Sequence, residues 1–213
     1  MNLLVLVSLL TIPAAISATD LDHLDPIPGY TIIEPVWEIQ LSPGAPPIIL
    51  NGTVQQVQHK LRQLNINAEN VFPRNPSKQA ITDDSKHTTR SEPNPNFSIN
   101  VKREIIDCHR FPVARRWAIE DSIDLLQRQG GNPINQAGPA SCMRVSCTYN
   151  SAIYWCNDLP TANILESWAI LATGAQNIIS HCFPSPNLDL TVAGQWFHID
   201  YLDWNVIIRG DVC

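Results

Sequence analysis

The placement of the six cysteines constrains this 213-residue chain more than any other feature of its sequence. All six lie in the second half, at Cys108, Cys142, Cys147, Cys156, Cys182 and Cys213. In an exported chain an even number of cysteines is typical of a disulfide framework, and six cysteines allow about 15 pairings. A zinc site would favour close pairs of the Cys-x-x-Cys type, which this sequence lacks. We therefore expect three disulfides and no metal site.

The first 18 residues indicate that the chain is exported. They form the apolar run MNLLVLVSLLTIPAAISA, which ends in the small residues Ser17 and Ala18, as a secretory signal peptide does. A membrane anchor is the alternative, but a helix that spans a bilayer needs ~20 apolar residues. We predict cleavage near Ala18 and a secreted, extracellular product without a transmembrane segment.

Residues 19–103 differ in composition from the rest of the chain. They hold ten of the seventeen prolines and no cysteine, so we interpret them as a proline-rich pro-segment or linker that is largely disordered. The exceptions are a possible extended segment over residues 31–41 and an amphipathic helix predicted near residues 53–65, behind Thr53 as N-cap. Its apolar positions are Val54, Val57, Leu61 and Leu64. A helix of about three turns is too short to be stable alone, but it could dock on the cysteine-bearing half.

Lys102 and Arg103 mark the predicted boundary between the two parts. Kexin-type proteases of the secretory pathway cut after such pairs in exposed, extended chain, and flexible sequence precedes this one. We therefore predict cleavage after Arg103, which would give a product that starts at Glu104; a pair of solvated surface charges is the alternative. The other dibasic pair, Arg115-Arg116, is expected to be protected inside a helix.

Two sequons precede the first cysteine. They are Asn51-Gly-Thr and Asn96-Phe-Ser, and each fits the pattern for N-glycosylation. A third asparagine, Asn75, does not qualify because proline follows it. We expect Asn51 and Asn96 to carry glycans.

Residues 104–213 carry all the cysteines and five of the six tryptophans. A first helix is predicted over 112–129, with a stripe of Ile119, Ile123 and Leu126. A hairpin is predicted about Tyr149-Asn150, with the alternation Met143, Val145, Cys147 in its first strand. A second helix is predicted over 162–182, and two further strands over 190–199 and 203–210. The apolar face of this second helix would hold Ile164, Trp168, Leu171, Ala175, Ile178 and Cys182.

This order of elements predicts an α+β fold for residues 104–213. The expected architecture is an α/β-sandwich in which a four-stranded antiparallel sheet carries both helices on one face. If the helices run antiparallel, Cys108 before the first lies near Cys182 at the end of the second. Cys142 and Cys156 lie near the open end of the hairpin, which leaves Cys147 for Cys213. This second step depends on the hairpin register, which the sequence does not fix.

The cysteine-bearing half resembles a group of small secreted fungal proteins. The segments SCMRVSCTYNSAIYWCND and GQWFHIDYLDWNVIIRGDVC, with the helix that ends at Cys182 between them, are similar to the killer-toxin-like group. This group includes extracellular-protein-2-type effectors and virally encoded killer toxins of smut fungi. The resemblance covers about Cys108–Cys213 and implies an α/β-sandwich, a fungal origin and action as a toxin or effector. The toxins depend on a lysine just before the cysteine that matches Cys147; here the resemblance leaves Arg144 as the candidate contact residue.

A catalytic site is the alternative. His198, Asp200 and Asp203 cluster in sequence, as groups for general acid–base catalysis do, although a turn rich in aspartate is more often a solvated loop. His181 precedes Cys182 at a helix end, where a cationic imidazole is favoured. Because Cys182 is expected to be oxidised, we do not interpret the pair as a nucleophile and base.

Trp155, Trp196 and Trp204 lie on predicted strands. On a sheet face without helices they would form an exposed aromatic surface suited to binding protein or glycan. The alternative is that they pack in the core or under the pro-segment. Together with Arg144 they are the candidate binding residues.

The leading hypothesis is a secreted effector or toxin-like protein, made as a precursor, that acts by binding without a cofactor. Residues 104–213 contain six arginines, no lysine and eleven acidic residues, which argues against nucleic acid and anionic membranes as partners. We expect a monomer that binds a host or competitor extracellular or membrane protein, or a cell-wall glycan. The alternatives are an extracellular hydrolase that uses His198 with Asp200 or Asp203, and a structural or adhesive wall protein.

Overall fold

The computed structural model describes residues 26–42, 44–67, 71, 105–108, 110–136, 138–182, 190–198 and 203–213. Its helices are α1 (Val54–Gln63), α2 (Arg116–Arg128) and α3 (Trp168–His181). Its strands are β1 (Thr31–Ile33), β2 (Val36–Ile39), β3 (Ile48–Asn51), β4 (Ile105–Cys108), β5 (Ala114–Arg115), β6 (Ile134–Asn135), β7 (Ser141–Thr148), β8 (Ser151–Asn157), β9 (Asn163–Ile164), β10 (Thr191–Val192), β11 (Gly194–Phe197) and β12 (Trp204–Gly210). The predicted signal peptide with Ala18, the Lys102-Arg103 pair and Asn96 lie outside the described residues.

Six of the described strands form one mixed sheet, in the order β1-β7-β8-β12-β11-β4. Its centre is the four antiparallel strands β7, β8, β12 and β11 that the sequence predicts. The prediction of a four-stranded, all-antiparallel sheet is wrong at both edges. There β4 pairs antiparallel with β11, and β1, from the proline-rich part, pairs parallel with β7. In a four-stranded sheet the outer edges of β7 and β11 would have unpaired backbone N–H and C=O groups. Strands β1 and β4 pair with these groups.

The predicted hairpin is confirmed, and its turn explains its position. Tyr149 and Asn150 both have positive φ, 49° and 56°, which matches the two-residue turn whose twist suits a β-hairpin. The first strand, however, contains a bulge between Arg144 and Ser146. The bulge moves Cys147 off the face that Met143 occupies, so the simple alternation expected for this strand is wrong.

The two faces of the sheet carry different sets of buried residues. One face, here the helix face, carries Met143, Ile153, Trp155 and Val206. The other, the open face, carries Cys142, Tyr154, Cys156 and Ile207. Cys147 joins the open face, where it reaches Cys213.

Both long helices of the cysteine-bearing half cover the helix face, but each begins later than predicted. Helix α2 starts at Arg116 because Ala114 and Arg115 form β5 against β10. Arg115-Arg116 therefore lies at a strand–helix junction and not inside a helix, and its backbone N–H groups are held by Ser151 Oγ and the Leu190 carbonyl. The predicted stripe of α2 is buried as expected.

Helix α3 begins at Trp168, and the expectation that Ile164 belongs to its apolar stripe is wrong. Ile164 lies in β9, paired with β6, and its side chain is 61% exposed. The remaining stripe residues, from Trp168 to Ile178, are buried. At Gly174 the helix lies so close to the sheet that an added Cβ would be 2.7 Å from the Trp196 ring. A larger residue at this position would separate α3 from the sheet.

Residues 26–67, here called the leader segment, share the main core with the cysteine-bearing half. Trp37, Ile39, Val54, Val57 and Leu61 are buried in the same cluster as the α2 and α3 stripes. The predicted helix is present as α1, and Thr53 caps it through a reciprocal capping box with Gln56. Leu64, predicted to be apolar-facing, follows the last helical residue and is 56% exposed.

All six cysteines are paired, as Cys108–Cys182, Cys142–Cys156 and Cys147–Cys213. These are the pairs that the expected arrangement of helices and hairpin favours. The first links β4 to the end of α3, the second joins β7 to β8, and the third ties the C-terminus to the hairpin. Together they connect the sheet, the last helix and the chain end.

Candidate functional site

The open face of the sheet is where the described residues leave a pocket suited to a ligand. A small cluster of buried residues lies there, in which Ile27 of the leader segment packs with Tyr154 and Ile207. Beside it is a cavity of about 610 Å³, here called the open-face pocket. Its lining includes Ile27, Tyr30, Phe111, Pro112, Gln195 and Ile207. This volume is within the range typical of small-molecule sites, roughly 300–1,000 Å³.

A chain of hydrogen bonds fixes the polar side of this pocket. The Tyr30 hydroxyl donates to Asp158 Oδ1 at 2.7 Å, and Asn205 Nδ2 donates to the other oxygen of that carboxylate at 2.9 Å. Gln195 Nε2 then donates to Asn205 Oδ1 at 3.0 Å. Burial of Tyr30, with its bond to Asp158, raises the pKa of this phenol to about 12. The leader segment is thereby bonded to the loop after β8, and Gln195 is held in place at the pocket.

Two arginines supply the charge of the pocket. Arg110 and Arg209 both line it. Arg110 forms an ion pair of 3.2 Å with Asp107, and its side chain is 64% exposed. Arg209 donates from Nε to the Gly210 carbonyl at 3.0 Å. A guanidinium binds a carboxylate or phosphate through several donors at once, so the pocket suits a ligand with an acidic group beside an apolar one.

Arg144, the candidate from the sequence, lies elsewhere on the open face and holds the C-terminus. Its guanidinium forms an ion pair of 3.2 Å with Asp211 and donates to the Val212 carbonyl at 2.9 Å. The Tyr154 hydroxyl donates to the same Asp211 carboxylate, and burial with this bond raises the pKa of Tyr154. With Cys147–Cys213, these contacts fix the last residues against the sheet. The role of Arg144 in binding a partner stays a prediction.

The expectation that the strand tryptophans form an exposed surface is wrong. Trp155, Trp196 and Trp204 are at most 6% exposed, because they point to the helix face, where α2 and α3 cover them. Trp196 and Trp204 pack edge to face with a centroid distance of 5.5 Å. The alternative, that they pack in the core, is what the structure shows.

A different aromatic pair is exposed, and the sequence reasoning missed it. Trp117 of α2 is 42% exposed and contacts Tyr149 of the hairpin turn with a centroid distance of 4.7 Å. The available signal was that Trp117 lies off the apolar stripe of its helix. An exposed tryptophan beside a tyrosine is typical of a contact surface.

The predicted catalytic cluster lies only partly within the described residues, where no hydrogen bond or ion pair joins its members. The His198 ring stacks on Trp204 with a centroid distance of 4.8 Å. The Asp203 backbone carbonyl accepts a hydrogen bond from the Asp158 amide, and Asp200 lies outside the described residues. Within the described part of the chain, His198 therefore has no carboxylate partner for acid–base catalysis.

His181 lies at the C-terminal end of α3, as predicted. Its Nδ1 is 2.8 Å from the Asn177 carbonyl, and the neighbouring Cys182 is bonded to Cys108. A disulfide sulfur is not a thiolate nucleophile. This His-Cys pair therefore closes a helix and is not a catalytic pair.

Three further features concern the surface and possible cofactors. Asn51 is exposed at the end of β3, so a glycan there would not meet the core. Among the described residues no group of three or more His, Cys, Asp or Glu side chains is arranged to hold a metal ion. No helix in those residues is long and apolar enough to cross a membrane.

The chain was compared with protein-family models, with curated proteins and with solved structures, and no match was found in any of the three.

Proposed function

We propose that this protein is a secreted, disulfide-stabilised effector or toxin-like protein that acts by binding an extracellular partner at the open-face pocket. The observation that carries the proposal is the pairing of Arg110 and Arg209 with apolar walls, on the sheet face that the helices do not cover. Three disulfides are compatible with an extracellular protein. The predicted signal peptide and the killer-toxin-like sequence features support the same conclusion.

The chemistry of the pocket suggests what the partner presents. Two guanidiniums and the Gln195 amide offer donors, while Ile27, Phe111 and their neighbours offer an apolar surface. A carboxylate side chain next to an apolar or aromatic one would satisfy both parts. The partner is therefore a host or competitor extracellular or membrane protein with such a segment at its surface.

Binding explains the described side chains better than hydrolysis does. Tyr30 and Gln195 join the pocket lining to a hydrogen-bond chain through Asn205 and Asp158. His198 is not part of that lining. The Asp158 carboxylate at its side accepts hydrogen bonds from Tyr30 and Asn205, which hold it as a structural acceptor. Nothing in this arrangement supplies a nucleophile with an adjacent base.

The test compares two double variants of the full secreted chain. Arg110→Gln with Arg209→Gln removes the pocket charges, and Arg62→Gln with Arg115→Gln removes two exposed charges elsewhere. Each protein is applied to plant tissue and to competing fungi, and cell death, growth inhibition and suppression of defence are scored. We expect the first variant to lose at least ~10-fold in activity, since a charged hydrogen bond contributes about 1.5–3 kcal/mol, and the second to keep it.

A direct measurement separates binding from other causes. Chemical shifts of the full chain are followed by NMR during titration with an acidic peptide of alternating Glu and Phe, and with an oligogalacturonide. Saturable shifts at Gln195 and Ile207 with the peptide support the proposal. A response to the oligogalacturonide alone would replace the protein partner with an acidic wall glycan. Activity that survives loss of both arginines would rule out this pocket as the site.

A further inference from the structure

We propose that the leader segment is a permanent subunit of the folded protein, so that a cut between residues 71 and 105 leaves a stable complex of two chains. The two chains would be held without a covalent bond, because residues 19–103 contain no cysteine. This inference goes beyond the proposed function and does not depend on it. It concerns what remains of the molecule after any cleavage at the predicted boundary.

The first observation is that the leader segment completes the central sheet. Strand β1 pairs parallel with β7 over three residues, from Thr31 opposite Ser141 to Ile33 opposite Met143. The Thr31 amide also donates to the Ala140 carbonyl at 2.9 Å. Removal of the leader segment would leave β7 as an unpaired edge strand, and such a strand can pair with other chains and cause aggregation.

The second observation is the burial of Trp37. Its ring stacks on Trp168 of α3 at a centroid distance of 3.9 Å and an interplanar angle of 11°. Its Nε1 donates to the Gly52 carbonyl at 2.6 Å, and the residue is 1% exposed. A tryptophan that is fully buried and hydrogen-bonded contributes more apolar contact than any other side chain. Trp168 would lose this cover if the leader segment left.

The third observation is that α1 buries apolar side chains where it contacts β7, β3 and α2. Val54, Val57 and Leu61 have no exposed surface. Gln55, from the same helix, forms hydrogen bonds to residues of both β7 and α2. Its Oε1 accepts from the Cys147 amide at 3.1 Å, and its Nε2 donates to the hydroxyls of Ser146 and Ser122 at 2.8 and 3.2 Å.

The Gln55 contacts have a specific consequence for the bulge in β7. Cys147 lies just after the bulge, and its backbone amide bonds to a side chain of the leader segment. Without the leader, this amide and the buried Ser122 and Ser146 hydroxyls would lose a partner, which costs free energy for each group that stays buried. The leader segment therefore supplies the hydrogen-bond acceptor for the Cys147 amide next to the bulge. The cysteine-bearing half alone does not supply it.

The fourth observation concerns the pockets. The open-face pocket takes Ile27 and Tyr30 from the leader segment. A second pocket of about 620 Å³ is lined by Glu38 and Gln40 from the leader and by Gln129 and Asn132 from the end of α2 and the loop after it. Both of these pockets are composite. Loss of the leader segment would therefore remove part of the lining of the candidate site. It would not expose a complete site.

The experiment cuts the chain and asks whether its two parts stay together. In the full chain, residues 85–91 are replaced by a seven-residue recognition sequence for a site-specific protease, and the purified protein is cleaved under non-reducing conditions. We expect one peak in size-exclusion chromatography at about 1 µM and a native mass that contains both fragments. Denaturant should then separate them. A leader fragment that elutes alone, whether or not the other fragment stays in solution, overturns the proposal.

A matched pair of variants tests the stated contacts. Trp37→Ala in the cleaved protein should raise the dissociation constant of the two fragments at least ~100-fold, as expected for loss of a buried tryptophan. Val36→Ala is the control, because Val36 is the exposed neighbour on the same strand, and it should leave the constant within ~3-fold. Equal dissociation constants for the two variants would contradict the stacking argument.

A second arrangement avoids the protease. The leader part, residues 1–84, and residues 92–213 with a signal peptide of their own are secreted from two genes in one host. Recovery of both parts as one complex supports the proposal. Secretion of a folded second part in equal amount with and without the leader gene, and with no leader bound, contradicts it.

Discussion

The leader segment and the cysteine-bearing half contribute to one core but are attached to it in different ways. The cysteine-bearing half is held by three disulfides that reach the sheet, α3 and the C-terminus. The leader segment relies on strand pairing, a stacked tryptophan and the buried face of α1. A disulfide acts mainly by restricting the unfolded chain, whereas packing acts only while the surfaces touch. The two regions should therefore respond differently to reduction, to core truncation and to pH.

The largest expected effect is on the cysteine-bearing half. Replacing Cys147 and Cys213 by alanine opens a link between residues 66 positions apart and should lower the free energy of unfolding by about 4 kcal/mol. Replacing Cys142 and Cys156 opens a separation of only 14 and should cost about 3 kcal/mol. Urea unfolding measures both. A larger loss from the shorter link would show that chain entropy does not govern these bonds.

The next effect tests the attachment of the leader segment. Leu61→Ala removes a fully buried side chain from α1 and should cost about 2–5 kcal/mol. Leu64→Ala, one turn further along at an exposed position, should change stability by less than ~0.5 kcal/mol. Hydrogen exchange should show that Leu61→Ala weakens protection in β1 and α1 more than in β8 and β12. Uniform loss of protection would mean that the two regions unfold as one unit.

Gly174 tests the contact between α3 and the sheet. Alanine favours a helix by about 1 kcal/mol over glycine, yet a Cβ at this position would lie 2.7 Å from Trp196 and 2.9 Å from Val206. The clash should dominate, and Gly174→Ala should destabilise by about 1–3 kcal/mol in thermal unfolding. Gly130→Ala is the control, since a Cβ there meets nothing within 4 Å, and it should be neutral or slightly stabilising.

The smallest expected effect concerns Tyr30 and depends on pH. The pKa of Tyr30 is raised from 10.0 to about 12 by burial and by its bond to Asp158, so the folded state binds this proton more tightly than the unfolded state does. The resulting stability is fully present below pH 10 and is lost as the pH rises from about 10 to about 12.

Tyr30→Phe should remove one hydrogen bond, about 1 kcal/mol at neutral pH, and should flatten the fall in stability above pH 10. Unfolding in urea at pH 8, 10 and 11 measures this, and Tyr149→Phe in the exposed turn is the control. An identical alkaline profile for Tyr30→Phe and the unaltered protein would show that Tyr30 does not join the leader to Asp158.

Local signals in the sequence predicted the elements that depend on few residues. The capping residues Thr53 and Gln56 define the start of α1, and Tyr149-Asn150 defines the hairpin turn. Both features act within four residues, where propensity and hydrogen bonding are decided locally. The helix stripes are predictable for the same reason, although the periodicity places Ile164 in a helix and the structure places it in β9.

Contacts between distant residues account for what sequence reasoning missed. The sequence predicts an extended segment over residues 31–41, but not that its first three residues pair parallel with β7, because that pairing depends on an edge far along the chain. The open-face pocket joins residues 27, 110 and 209, which no local pattern connects. The side to which Trp155 points depends on the register of the whole sheet, so its burial could not be deduced from alternation alone.

The amino-acid sequence is enough to predict the α+β class, the separation of the cysteines from the proline-rich part, and the three helices and four central strands of the described residues. The parallel edge strand, the bulge that turns Cys147 to the open face, and the leader segment's place in the core depend on long-range packing. Hydrophobic periodicity and turn chemistry are properties of neighbouring residues. The face on which a side chain lies, and what covers it, depend on pairing between residues far apart in the chain.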